Sequence, residues 1–150
     1  MEVKIRGEVV AVCMSDEKGV PKRSVDRVVL IEGPGVDGDA HAGNWHRQVS
    51  LLSFDKVEDF RARGADAPDG AFGENLLVRG IDFRTLPVGT RLVCDEALLE
   101  ITQIGKECHS GCSIFRQMGD CIMPREGVFA KVLRGGTIRA GDEMTEEGAQ

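Results

Sequence analysis

"GTRLVCDEALLEITQIG", residues 89–105, carries the clearest strand signal in the chain. Two apolar runs meet at Asp95–Glu96, a polar pair suited to the turn of an antiparallel hairpin, with the glycines at 89 and 105 bounding the whole piece. Shorter runs of the same kind lie on both sides. Residues 5–13, "IRGEVVAVC", alternate between apolar and polar and read as a strand. "VDRVVLIEG" (25–33) reads as its returning partner, reached through an exposed loop whose tip Lys18, Lys22 and Arg23 make basic. "VSLLS" (49–53), "NLLVRG" (75–80) and "GVFAKVLRGG" (127–136) add strands, and "GTIRAGDEMT" (136–145) reads as a last hairpin-like piece.

Helical signal is sparse. Ser53 is a candidate N-cap for "FDKVEDFRARG" (54–64), which sets Phe54, Val57 and Phe60 on one face before Gly64 ends it; "CSIFRQMG" (112–119) can form a second short helix. Many short strands, abundant glycine turns and one or two helices predict a mainly β fold, barrel-like and closed, forming a single domain over residues 1–150. No GxGxxG follows a strand into a helix, which argues against a dinucleotide fold.

Composition narrows the function classes. The chain has 150 residues, 41% hydrophobic and 29% charged, with 19 glycines, a single Trp and no Tyr. Aromatic stacking platforms are therefore scarce. A net charge of -6 opposes binding driven by phosphate neutralisation on DNA or RNA. No apolar run is long enough to cross a bilayer and no signal-peptide pattern opens the chain, so a cytoplasmic protein without membrane partners is expected. Five cysteines, an odd number, then point to reduced thiols rather than a disulfide framework.

Cys13 and Cys94 are embedded in apolar strands and read as small buried hydrophobes. "GKECHSGC" (105–112) is different, because it crowds Lys106, Cys108, His109 and Cys112 together at the end of a strand. Cys108, Cys112 and Cys121 follow C-x3-C-x8-C, which supplies only half of the paired knuckles of a structural zinc site. A thioredoxin-like C-x2-C is missing as well. A neighbouring cation and a following helix N-terminus would both favour the Cys108 thiolate, the state that attacks sulfur, binds a soft metal or carries a persulfide. Cys112 and Cys121 remain open to resolving it, assisting it or filling the core.

Taken in order, "GVDGDAHAG" (35–43), "HRQVSLLS" (46–53), "GAFGENLLVRGID" (70–82), "LPVGTRL" (86–92), "LEITQIGKECH" (99–109) and "GDCIMPREGVFAKVLRGGTIRAGD" (119–142) resemble a MOSC domain of the small stand-alone bacterial kind, over roughly residues 5 to 145. This module is named for the C-terminal part of molybdenum cofactor sulfurase. The resemblance implies a β-barrel-like fold, a pterin-bound molybdenum or tungsten cofactor, and a functional cysteine that maps onto Cys108, as metal ligand or sulfur carrier. In several relatives Pro and Arg residues lead to that cysteine, whereas here the run is Lys106-Glu107-Cys108-His109. Sulfur carriage and direct ligation of the metal both stay open. The pyridoxal-phosphate desulfurase domain of full-length sulfurases is not among these residues, so a separate sulfur donor is expected, with molybdenum cofactor biosynthesis proteins or molybdoenzymes as partners.

A pterin phosphate needs cations in loops that permit close approach. His41, His46 and Arg47 sit in "GPGVDGDAHAGNWHRQ" (33–48), Lys106 in the thiol loop and Arg125 in "MPREG" (123–127). Asp39 is suited to accepting backbone N–H bonds within its turn. Glu74 and Asn75 in "FGENL" (72–76) offer an acceptor and an amide, for a pterin's polar edge or for capping a strand. Two other readings compete with a binding or carrier module: an enzyme, either a sulfurtransferase or a cofactor-dependent reductase of N-hydroxylated compounds, and a zinc-stabilised structural module built on Cys108, Cys112 and Cys121.

Overall fold

The hairpin expected over 89–105 forms: β7 (Arg91–Cys94) and β8 (Ala97–Ile104) pair antiparallel with Cys94 opposite Ala97. Asp95 turns it at a φ of 55°, a left-handed conformation that Asp tolerates better than most residues. The computed structural model describes residues 5–17, 21–40, 42–43, 45, 48–105 and 126–147. Before the hairpin come β1 (Arg6–Met14), β2 (Arg23–Val25), β3 (Arg27–Ile31), β4 (Gly35–Val36), β5 (Val49–Ser53), α1 (Phe54–Ala62) and β6 (Leu76–Arg79). After it come β9 (Val128–Arg134), β10 (Gly136–Arg139) and β11 (Glu143–Glu146).

A closed 7-strand barrel runs β1-β6-β5-β9-β8-β7-β11 and back to β1. β1 closes it by dividing its pairing: Arg6–Glu8 bond to β11, Glu8–Val12 to β6, and Val12–Met14 to β2, which lies outside the ring. The expected hairpin between β1 and the following run therefore exists, but a bend at Asp26 splits that run. Its second half, β3, joins β4 and β10 in a separate sheet. The last hairpin-like piece also divides: β10 pairs with β3 while β11 pairs with β7 and β1.

Apolar residues on both faces of β5 explain why all five of its residues are buried. Val49 and Leu51 belong to the barrel interior with Val9, Leu76, Leu99 and Ile101, whereas Leu52 packs outward with Cys13, Leu77 and Phe129 beneath α1. Helix α1 covers that outer layer with Val57 and Phe60, and Ser53 caps it by accepting the Lys56 N–H at 3.4 Å. Together with the loop 63–75, α1 makes the crossover that the parallel β5–β6 pair requires. The second short helix expected at 112–119 lies outside the described residues.

Candidate functional site

At the end of the barrel where β1 finishes and β5 and β6 begin, polar groups are buried in a way the sequence does not advertise. Asp39 accepts the Ser15 N–H through Oδ1 at 3.1 Å, and its Oδ2 lies 3.5 Å from Lys22 Nζ. The two side chains are 0% and 1% exposed. Lys22 is thus no part of a basic surface tip: its ammonium is drawn inside by the only kind of group that offsets the desolvation of a buried cation. Ala40 N–H bonds to Ser15 O at 2.7 Å, so the loop after β4 is pinned to the end of β1 by backbone and side chain together.

Glu74 and Asn75 are both fully buried. Glu74 takes the Gly70 N–H on Oε2 at 2.7 Å and the Phe72 N–H on Oε1 at 3.0 Å, wrapping the preceding loop around its carboxyl. Burial pushes that carboxyl up to about 7, against the pull of these backbone bonds, and Asp69 adds to the rise. Asn75 accepts the Ser50 N–H at 3.0 Å and donates to Cys13 O at 3.0 Å, while its own N–H and C=O bond to Ser50 O and Cys13 N. It therefore ties β5 to β1 ahead of β6. These hydrogen bonds all go to the chain's own backbone, which makes both residues supports of the loops.

The glycine-rich stretch is also bonded inwardly. The N–H groups of Asp37, Asp39, Ala40, Ala42, Gly43 and Trp45 each donate to a backbone carbonyl. These six described N–H groups are thus taken up within the chain itself. Gln48 closes the base of the loop, donating to Gly33 O at 2.6 Å and accepting from Val132 N at 3.0 Å. Gly35, at a φ of 104°, leaves room for it, since a Cβ there would stand 2.7 Å from the Gln48 Cβ.

His41, His46, Arg47, Lys106, Cys108 and Arg125 lie outside the described residues, as do His109, Cys112 and Cys121. What is described is their attachment. Gly105 N–H bonds to Gly127 O at 2.6 Å, closing the neck of the stretch that holds Cys108. Arg84 Nη1 stands 3.7 Å from Glu126 beside that neck. Cys13 and Cys94 are buried small side chains, as expected, and burial pushes both thiols up to about 12. Among the described residues no group of three or more His, Cys, Asp or Glu is placed to hold a metal ion. A shallow cavity of about 290 Å³ between Val93, Asp95, Asp142, Glu143 and Thr145 is lined by carboxylates and suits no anion. Sequence reading missed the burial of Lys22 and its pairing with Asp39. Nothing in their spacing signals either.

The profile of the MOSC domain matches residues 37–145. Among solved structures, the YuaD protein of Bacillus subtilis superposes with a TM-score of 0.81 at 20% identity, covering 100% of both chains. YiiM of Geobacillus stearothermophilus gives 0.71 at 21% identity over 93% of this chain and 74% of its own. YiiM of Escherichia coli gives 0.65 at 18% identity over 99% and 72%. At these identities the likeness is one of fold. A search of curated proteins finds no match. No helix among the described residues is long and apolar enough to cross a membrane.

Proposed function

The chain belongs to the MOSC domain family, a family associated with molybdenum-cofactor-related function, and from that premise we propose that it binds a pterin-linked molybdenum or tungsten cofactor. Cys108 is the thiolate that ligates the metal or carries a sulfur atom to it. His41, His46 and Arg47 of the glycine-rich loop, with Lys106 and Arg125, grip the phosphate and the polar edge of the pterin; an Arg fork suits a phosphate, and imidazoles suit ring acceptors. When bound, the cofactor supplies a soft metal centre able to take a thiolate ligand.

Among the described residues the fit to this ligand is one of scaffold, and the buried Asp39–Lys22 pair is the observation that supports the reading most. The ion pair fixes the base of the glycine-rich loop away from water, as a loop that must hold ligand-contacting side chains in place would require. Glu74 and Asn75 support the neighbouring loop and strands, as positioning residues behind the groups that touch the ligand. The partners that follow are cytoplasmic proteins that make or use the cofactor.

Purification from a host replete in cofactor, followed by assay of bound pterin and metal, tests the assignment of Cys108. Wild type is expected to retain both, and Cys108→Ser to lose the metal or its sulfur while keeping pterin through the cationic loops. Equal metal and sulfur in the two proteins would remove Cys108 from its role.

A further inference from the structure

The carboxyl of Glu74 and the loop bearing Asp39 are joined by a continuous run of contacts. Glu74 Oε2 accepts from Gly70 N–H at 2.7 Å, and Gly70 O accepts from Lys22 N–H at 2.9 Å. The fit between Gly70 and Lys22 is close: Gly70 stands at a φ of 89°, and any Cβ there would collide with the Lys22 carbonyl. From the other end of the same residue Lys22 Nζ reaches Asp39 Oδ2 at 3.5 Å, and Asp39 fixes the loop through Ser15. No flexible surface group intervenes, because Glu74, Lys22 and Asp39 are all buried.

We propose that this run is a relay, in which gain or loss of a proton at Glu74 shifts Lys22 and so resets the turn anchored by Asp39. The ionised carboxylate holds Gly70 and Phe72 by charge-assisted bonds, which are shorter and stronger than neutral ones. Protonation removes the charge and turns one oxygen into an O–H, a poorer acceptor, so the clamp on that oxygen weakens. Lys22, bonded to the Gly70 carbonyl, moves with it. Burial holds the carboxyl near neutrality, at about 7, so the change falls within the range a cell can impose.

The charged groups around Glu74 do not replace it in this role. Asp69, on the same loop, is held by Arg61 Nη2 at 2.9 Å, and Arg61 also bonds Ala67 O and Glu58 from α1. Cys13, on β1, feels both Glu74 and Lys22 but is pushed up to about 12 and stays a thiol. Lys22 and Asp39 form the buried pair itself. In sequence, His41 and His46 flank the reporter, so the test removes them.

Trp45 is the single tryptophan of the chain and lies in the loop. Its emission is therefore a direct readout of the relay on the free protein. In a His41→Gln/His46→Gln background, a titration from about pH 5.5 to 8.5 is expected to show one transition with a midpoint near 7. Glu74→Gln is expected to abolish it. Lys22→Met is expected to abolish the Trp45 transition while a ¹³C-labelled Glu74 carboxyl still titrates near 7, which separates a broken relay from a collapsed fold. A flat Trp45 signal in the histidine-free background, or a transition that survives Glu74→Gln or Lys22→Met, overturns the relay. The relay's use rests on the cofactor reading, but no cofactor enters this titration. Failure to bind pterin would leave the relay standing, and a flat titration would leave the cofactor reading untouched.

Discussion

Lys22 Nζ lies 3.5 Å from Asp39 Oδ2 with both side chains closed off from water, at the point where the glycine-rich loop meets the end of β1. Removing one partner of such a pair leaves an uncompensated buried charge, an effect of about 3–5 kcal/mol. Asp39→Asn and Lys22→Met are each expected to lower stability by that order in urea unfolding. The double variant should lose clearly less than the sum of the two. Additive losses would show that the pair does not act as a unit.

Asn75 and Ser50 make contrasting neighbours. Asn75→Ala strips partners from two buried backbone groups, the Ser50 N–H and the Cys13 carbonyl, each worth about 1–3 kcal/mol when left unsatisfied. The hydroxyl of Ser50, by contrast, is buried without a hydrogen-bond partner among the described residues. Ser50→Ala is thus expected to be neutral or to stabilise by up to about 1 kcal/mol, because it removes a desolvated polar atom. Thermal melts of the two variants give the comparison, and a substantial loss in Ser50→Ala would count against it.

Gly70 and Gly89 separate space from backbone strain. Both have positive φ, 89° and 98°, but a Cβ at Gly89 meets nothing within 4 Å while one at Gly70 strikes the Lys22 carbonyl. Gly89→Ala is expected to cost about 1–2 kcal/mol, the penalty of a left-handed L-residue. Gly70→Ala should cost more than that, since the backbone of one loop must also move. Equal losses would mean that the close approach is readily relieved.

Burial of Glu74 has a defined sign in the pH dependence of folding. Its carboxyl is raised from 4.5 to about 7 in the folded chain. Between those values the folded protein keeps a proton that the unfolded chain has released, so stability falls as pH rises through that window. Below it both states are protonated, and above it the whole effect of the buried charge is present, on the order of 3 kcal/mol. The urea midpoint of wild type, referenced to Glu74→Gln, is expected to be higher at pH 5 than at pH 7.5. A difference that does not change with pH would contradict the assignment.

Much of this fold is legible in the sequence, because short β runs with glycine turns leave few alternatives. The β7–β8 hairpin, the Ser53 cap and the burial of Cys13 and Cys94 all follow from local pattern. Partner choice does not. β10 and β11 are adjacent in sequence yet go to different sheets, and β2 and β3 part at one bend, because register is set by long-range burial rather than by any local signal. In the candidate site, Asp39 was readable as a turn acceptor, but Lys22 was not readable as buried. A lysine beside a proline in a polar loop looks the same whether or not an aspartate 17 positions away waits to pair with it. Glu74 and Asn75 were open to ligand contact or strand capping, and their observed bonds are those of support.

Anaerobic titration of the purified chain with cofactor released from a molybdoenzyme, followed by quenching of Trp45, tests the central claim most directly. Binding at one cofactor per chain is expected, weakened at least tenfold by Arg47→Ala and displaced by excess free pterin phosphate. An emission unchanged through excess cofactor, together with no pterin retained after gel filtration, would contradict it.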